Sequence, residues 1–291
     1  MGKEILLALI VSVALASCER AEDIDSLVTA DSTVFFKTSG GLSYHFSDFA
    51  FYDSSAYIFY FRRVHEELKD LESGTFAFFD KADTIYKGNL WPVYYNSIAP
   101  GAFILVPPIF YGNYVLAIEN WRTGKPDPRN NLHMISVLKS HGMLHSGLSL
   151  QVTSVESNGT RLTVSIRIIN KDTEKLLILD PEKMGTPLFH FFTNGIIVFD
   201  NADHFVFTGN VQSQVPDPWN SWKTEWFTEL DPDNFRDYTL QYTLDNVLPS
   251  GTYTLWFTFP GLSSQLSKDQ LYQGDARIFL GEVQCAKKFT L

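Results

Sequence analysis

Leu148-Ser-Leu-Gln-Val-Thr-Ser-Val-Glu156 and Arg161-Leu-Thr-Val-Ser-Ile-Arg-Ile-Ile169 flank the dipeptide Asn158-Gly159. Apolar and polar residues alternate in both arms, as in strands with one buried face. Asn-Gly is the strongest short hairpin signal, because both of its positions tolerate positive φ. Leu162, Val164, Ile166 and Ile168 then share the core face. The fold class follows from repeating this grammar along the chain.

Toward the C-terminus, strands are expected at Leu176–Leu179, 188–193 and 196–199 (across Asn194-Gly195), Phe205–Phe207, Arg236–Leu244 and 252–259, with closing strands over 276–291. Toward the N-terminus, 32–61 reads as strands broken by turns, and Ala56–Phe61 is apolar on both faces, as a central strand would be. Val64, Leu68 and Leu71 are spaced for one or two amphipathic helical turns. Strands resume at 75–79, 84–86, 102–106 and 114–121, with Pro92 limiting pairing near Trp91. Thr123-Gly-Lys-Pro-Asp-Pro-Arg-Asn-Asn131 is rich in turn formers. Short strands without βαβ alternation argue an all-β chain of two sandwiches. The expected division is 30–122 for the first, 123–146 as linker, with a short helix or a closing strand over His133–Met143, and 147–291 for the second.

The extreme N-terminus has a different character. Ile5–Ala16 is almost wholly apolar, too short to span a bilayer and suited to the central region of a secretory signal. Leu15-Ala16-Ser17-Cys18 closes it and resembles a bacterial lipobox. That resemblance implies a signal peptide over 1–17, lipid on Cys18 and attachment to an envelope membrane. Ala14-Leu15-Ala16 also fits an ordinary signal-peptidase site, which would leave Cys18 free to pair with Cys285, the one other cysteine. The acidic stretch in 18–29, with Ala21-Glu22-Asp23 at its centre, reads as a tether and resembles the surface-export signal of Bacteroidetes lipoproteins, with Arg20 departing from it.

In the second half, Ile169-Asn170-Lys171, Leu230-Asp231-Pro232 before the Tyr238 strand, and Leu248-Pro-Ser-Gly-Thr-Tyr253 resemble bacterial immunoglobulin-like sandwiches, including the family typified by the intracellular proteinase inhibitor of bacilli. The resemblance covers about 145–291 and implies a tandem of immunoglobulin-like antiparallel domains. It carries no inhibitory residue across.

The net charge of −10, with no basic run, argues against nucleic acid as a partner. The 24 Phe, 13 Tyr and 6 Trp promise large cores. The familiar nucleophile, phosphate-loop, dinucleotide and zinc motifs are lacking, and no cofactor or metal is expected. His133, His141 and His145 read as linker histidines, and His45, His190 and His204 as packed ones. Asp200–Asp203 and Glu229–Asn234 read as turns rather than calcium loops. Trp219, Trp222 and Trp226 crowd one proline-rich loop; the indoles either cover one open end of the sandwich or, if exposed, would stack on a glycan or anchor a protein partner. The expectation is thus a lipid-anchored envelope protein with a noncatalytic binding or scaffolding role. An exported hydrolase with a spatially assembled site is the alternative.

Overall fold

The computed structural model describes residues 33–120, 127–193, 195–208 and 222–291. The chain is all-β with a few short helical turns. In the first half, β1 (Val34–Thr38), β2 (Ser43–His45), β5 (Gly74–Asp80), β6 (Asp83–Pro92) and β7 (Phe103–Val106) form one sheet in the order β2-β1-β5-β6-β7. β3 (Phe49–Asp53), β4 (Ile58–Phe61), β8 (Val115–Ala117) and β9 (Leu144–His145) form another, ordered β8-β4-β3-β9. Aromatic rings join the two sheets: Phe35 of β1 and Phe78 of β5 meet Phe59 of β4 at 5.7 and 5.0 Å between centroids. β4 is central, and all four of its residues are buried, as its two-sided apolarity predicts. The helical signal after it yields one turn of 3-10 helix, Glu66–Asp70, with Leu68 as its buried residue. β6 reaches Pro92 itself, because that residue is the strand's last and pairs with Val106 at the end of β7.

In the second half, β10 (Leu148–Asn158) and β11 (Arg161–Asn170) make the expected hairpin, with Gly159 at φ +61° in the turn. Their register shifts between Val152 and Ser154. Such a bulge inserts one residue, and it keeps Val155 opposite the buried Val164 where plain alternation would have turned it away. β16 (Phe235–Thr243) continues this sheet as β10-β11-β16. Packed across it is the sheet β14-β13-β17-β20, from β13 (Ile196–Asp200), β14 (Phe205–Thr208), β17 (Thr252–Pro260) and β20 (Glu282–Thr290). Leu162, Val164, Ile166 and Ile168 on one side, and Ile196, Val198, Leu255, Phe257 and Phe259 on the other, are fully buried. A smaller sheet, β15-β12-β19-β18, comes from β12 (Lys175–Leu179), β15 (Phe227–Leu230), β18 (Tyr272–Gln273) and β19 (Ala276–Ile278).

Two expectations are corrected. Among the described residues three of the five sheets are mixed, since β6 with β7, β3 with β9 and β12 with β19 run parallel, whereas the other two, both in the second half, are antiparallel throughout. Residues 188–193 are helical, not a strand: α2 (Pro181–Met184) and α3 (Thr186–Phe189) lead into a 3-10 turn, His190–Phe192. Pro181 and Pro187 sit in the first turns of α2 and α3, where a fixed φ and a missing N–H favour helix. The described part of the 123–146 segment takes the helical alternative expected for His133–Met143. It carries α1 (Leu132–Ser140), capped by Asn131 through bonds from the His133 and Met134 amides, and buries Met134, Val137 and Leu138. It then donates β9 to the first half.

The two halves therefore share one continuous apolar core. An ionic cluster seals their junction. Arg277 of β19 is fully buried, and its guanidinium reaches Asp53 of β3 at 3.1 Å, Asp172 at 3.0 Å and Glu174 at 3.2 Å, with the Phe51 ring 4.9 Å from its carbon. Burial works against its charge, but Tyr60, Asp53, Asp172 and Glu174 outweigh that and raise its pKa above the ordinary arginine value. Burial alone would raise Asp172. The 2.9 Å bond from His145 Nδ1 and the charge of Arg277 instead hold it down at about 2.

Candidate functional site: a cleft at the junction of the halves

The inward residues of β17 build the core, so Trp256 and Thr258 must stand on the opposite face. The pairing register lines up Ile197, Trp256 and Ala286 across that face, and Thr258 with Gln284 beside them. Because the first half packs against only part of this face, it remains the floor of a cleft of about 430 Å³. Leu105, Phe110 and Tyr111 form one wall; Phe191, Thr193 and Gly195 form another. A smaller apolar recess of about 20 Å³ opens beside it, behind Ile104, Pro108, Ile109 and Leu116.

Two glutamates face this cleft. Glu119 follows β8, and its backbone exchanges two hydrogen bonds with Phe103, at 2.9 and 2.8 Å. Its neighbour Ile118 points into the core, which turns Glu119 outward by strand alternation. Glu282 opens β20 directly after Gly281. Gly281 has φ +82°, and a Cβ there would meet Ile58 Cδ1 at 2.8 Å and Ala56 Cβ at 2.9 Å, so a glycine is required where the halves touch.

Both carboxyls are half-buried and both hold protons more tightly than usual. Burial, reinforced by the charge of Glu282 and opposed by Arg129, pushes Glu119 up to about 7. Burial also raises Glu282, against a 2.7 Å hydrogen bond donated by Gln284 Nε2 and the pull of Arg129. Arg129 itself is committed to a bidentate pair with Asp127 and lies 3.8 Å from the Tyr57 centroid. Among the described residues, no basic side chain lines the cleft. The site therefore combines a half-buried indole, aromatic walls, hydroxyl and amide groups, and two carboxyls whose pKa values burial raises.

The raised Glu119 has a consequence for stability. Its ordinary pKa is 4.5 and its folded value about 7. Between these limits the native chain holds a proton that the unfolded chain has released, so stability falls as pH rises through the window. Glu119→Gln removes this dependence. The variant is expected to melt above the wild type once pH exceeds about 7 and with it below 4.5; thermal unfolding against pH checks both.

Of the three loop tryptophans, Trp222 and Trp226 lie within the described residues. Trp226 is 5% exposed and closes a 3-10 turn, so it is a core residue and not a ligand anchor. Trp222 is half-buried, edge-on to Phe227 at 5.8 Å. Trp219 and Cys18 lie outside the described residues. The histidines do not converge. His133 pairs with Asp80, His141 stacks on Phe46, and His145 joins the buried cluster through Asp172. His190 is buried, its pKa lowered to about 4 by burial, with Nε2 2.6 Å from the Tyr242 hydroxyl. His204, expected to be packed, is exposed beside Asp200. Asp200 accepts bonds from the Ala202 and His204 amides in its own turn, while Glu229 and Asp231 surround Lys175.

Sequence reasoning missed Trp256, Glu119 and Glu282. One signal was present: Glu119 ends the otherwise apolar run Tyr114-Val-Leu-Ala-Ile118, an unusual place for a carboxylate. No family model matches the chain. No curated protein matches it. Among solved structures, it shows a likeness to the X-ray structure of a Northeast Structural Genomics Consortium target, at 14% identity and a TM-score of 0.22, over 50% of this chain and 82% of that one. A likeness this slight carries no argument about fold or function.

Proposed function

We propose that this protein is an envelope lipoprotein, held to a membrane through lipid on Cys18, whose folded part is a noncatalytic binding module for a glycan or a protein partner. The ligand site in this reading is the cleft over Trp256. The single observation that carries it is the 430 Å³ opening with a half-buried indole on its floor and two carboxyls on its rim. The second half is read as immunoglobulin-like. Supporting this are its three- and four-stranded sheets and the 2.7 Å bond from the Tyr253 hydroxyl to the Pro249 carbonyl, a feature shared with the tyrosine corner of such sandwiches. The first half is read as a second sandwich ending near residue 122.

The test is a glycan array read with the wild-type chain, Trp256→Ala and Trp222→Ala. Signal lost only in Trp256→Ala supports the cleft; undiminished signal in that variant removes it. Metabolic acyl labelling that disappears in Cys18→Ala tests the anchor.

The raised carboxyl of Glu119 also favours a second reading, an exported hydrolase in which Glu119 acts as general acid and Glu282 as base. Turnover of a chromogenic glycoside that vanishes in both Glu119→Gln and Glu282→Gln would establish it. Binding without turnover returns the module reading.

A further inference from the structure

We infer that the cleft binds an amino sugar, with the pyranose ring against the Trp256 indole and the ammonium group against the Glu119 and Glu282 carboxylates. The inference rests on the cleft reading above and deepens it. Three observations on the site select this chemistry.

First, the charge is one-sided. Two carboxylates face the cleft and, among the described residues, no lysine or arginine lines it, so this lining favours a cation over an anion. Arg129 lies close enough to influence both glutamates, but its guanidinium is spent on Asp127 and the Ile118 carbonyl. Second, Glu119 receives no side-chain hydrogen bond among the described residues, and Glu282 has only Gln284. A cation would supply the missing partner. Third, the rest of the lining suits a sugar rather than a bare alkyl amine. The indole gives a flat face for axial C–H groups, and Thr193, Thr258, Ser263 and Gln284 offer hydroxyl and amide groups for ring hydroxyls.

Bringing an ammonium beside the pair favours the ionised carboxylates. Binding is then expected to release a proton and to weaken as pH falls below about 7, where Glu119 becomes protonated in the free protein.

The experiment is calorimetric titration of the full mature chain with two probes, a glucosamine trimer and its N-acetylated counterpart. They differ in the charge that acetylation removes. The free-amine trimer is expected to bind about tenfold or more tightly than the acetylated one. That preference should shrink to near unity in Glu119→Gln and in Glu282→Gln, both close in shape to wild type and checked for folding by thermal melting. Equal binding of the two trimers, abolished by Trp256→Ala, overturns the amino-sugar class and leaves the cleft as the site. Binding that survives Trp256→Ala, or binding of neither trimer, overturns both the inference and the glycan form of the cleft reading. A preference for the free amine that persists in both glutamine variants overturns the assignment of the carboxylates.

Discussion

Replacing Arg277 by Met is expected to destabilise the protein by about 3–5 kcal/mol. The substitution leaves Asp53 and Asp172 buried, 0% and 1% exposed at their side chains, without the cation that holds them. Removing one partner of a buried ion cluster costs far more than the cluster contributes in net stability, because the surviving charges cannot recover hydration. The triple variant Arg277→Met, Asp53→Asn, Asp172→Asn discharges the fully buried members of the cluster, leaving the partly exposed Glu174, and is expected to regain much of the loss. Urea unfolding of both variants separates the cost of orphaned charge from the cost of lost packing. The cluster also predicts an acid limb. Asp172, held at about 2, contributes stability above its ordinary 3.8 that is lost as pH falls toward about 2, and Arg277→Met should flatten this limb.

Phe59→Ala is the second large effect, at about 3–5 kcal/mol. Phe59 is fully buried between the sheets of the first half. Its ring lies 4.3 Å from that of Tyr52, 5.0 Å from Phe78, 5.2 Å from Phe49 and 5.7 Å from Phe35. Removing it opens a cavity that four aromatic neighbours, themselves held by both sheets, cannot collapse to fill. Because the core runs on from the first half into the second, the variant should lower one common unfolding transition. Two separated transitions, with only the first displaced, would show that the halves fold as independent domains.

These residues also show what could be read from sequence. The 148–170 hairpin was legible because its turn chemistry and its alternation agree, and even the bulge at Val152 preserves the apolar face. β4 was legible because a strand flanked on both sides and both faces has no position for a polar residue. The helical turns near Pro187 were not, since Leu188–Phe192 is apolar at every position but His190 and so fits a strand as well as a helix. Arg277 gave no local signal: its partners Asp53, Asp172 and Glu174 are distant in the chain and meet only when β3 and β19 pack at the junction. The cleft is invisible for the same reason. Trp219, Trp222 and Trp226 stood out because indoles crowd in sequence, whereas Trp226 went into the core and Trp256, alone in its strand, lies half-buried on the outer face of its sheet.

The six tryptophans allow a direct comparison of these two locations. Chain labelled with 5-fluorotryptophan gives one fluorine resonance per indole, each assigned by a Trp→Phe variant. On titration with the glucosamine trimer, the Trp256 resonance is expected to shift while those of Trp219, Trp222 and Trp226 stay in place. Movement of the Trp219 and Trp222 resonances with Trp256 unmoved would contradict the cleft and return the binding surface to the tryptophan loop.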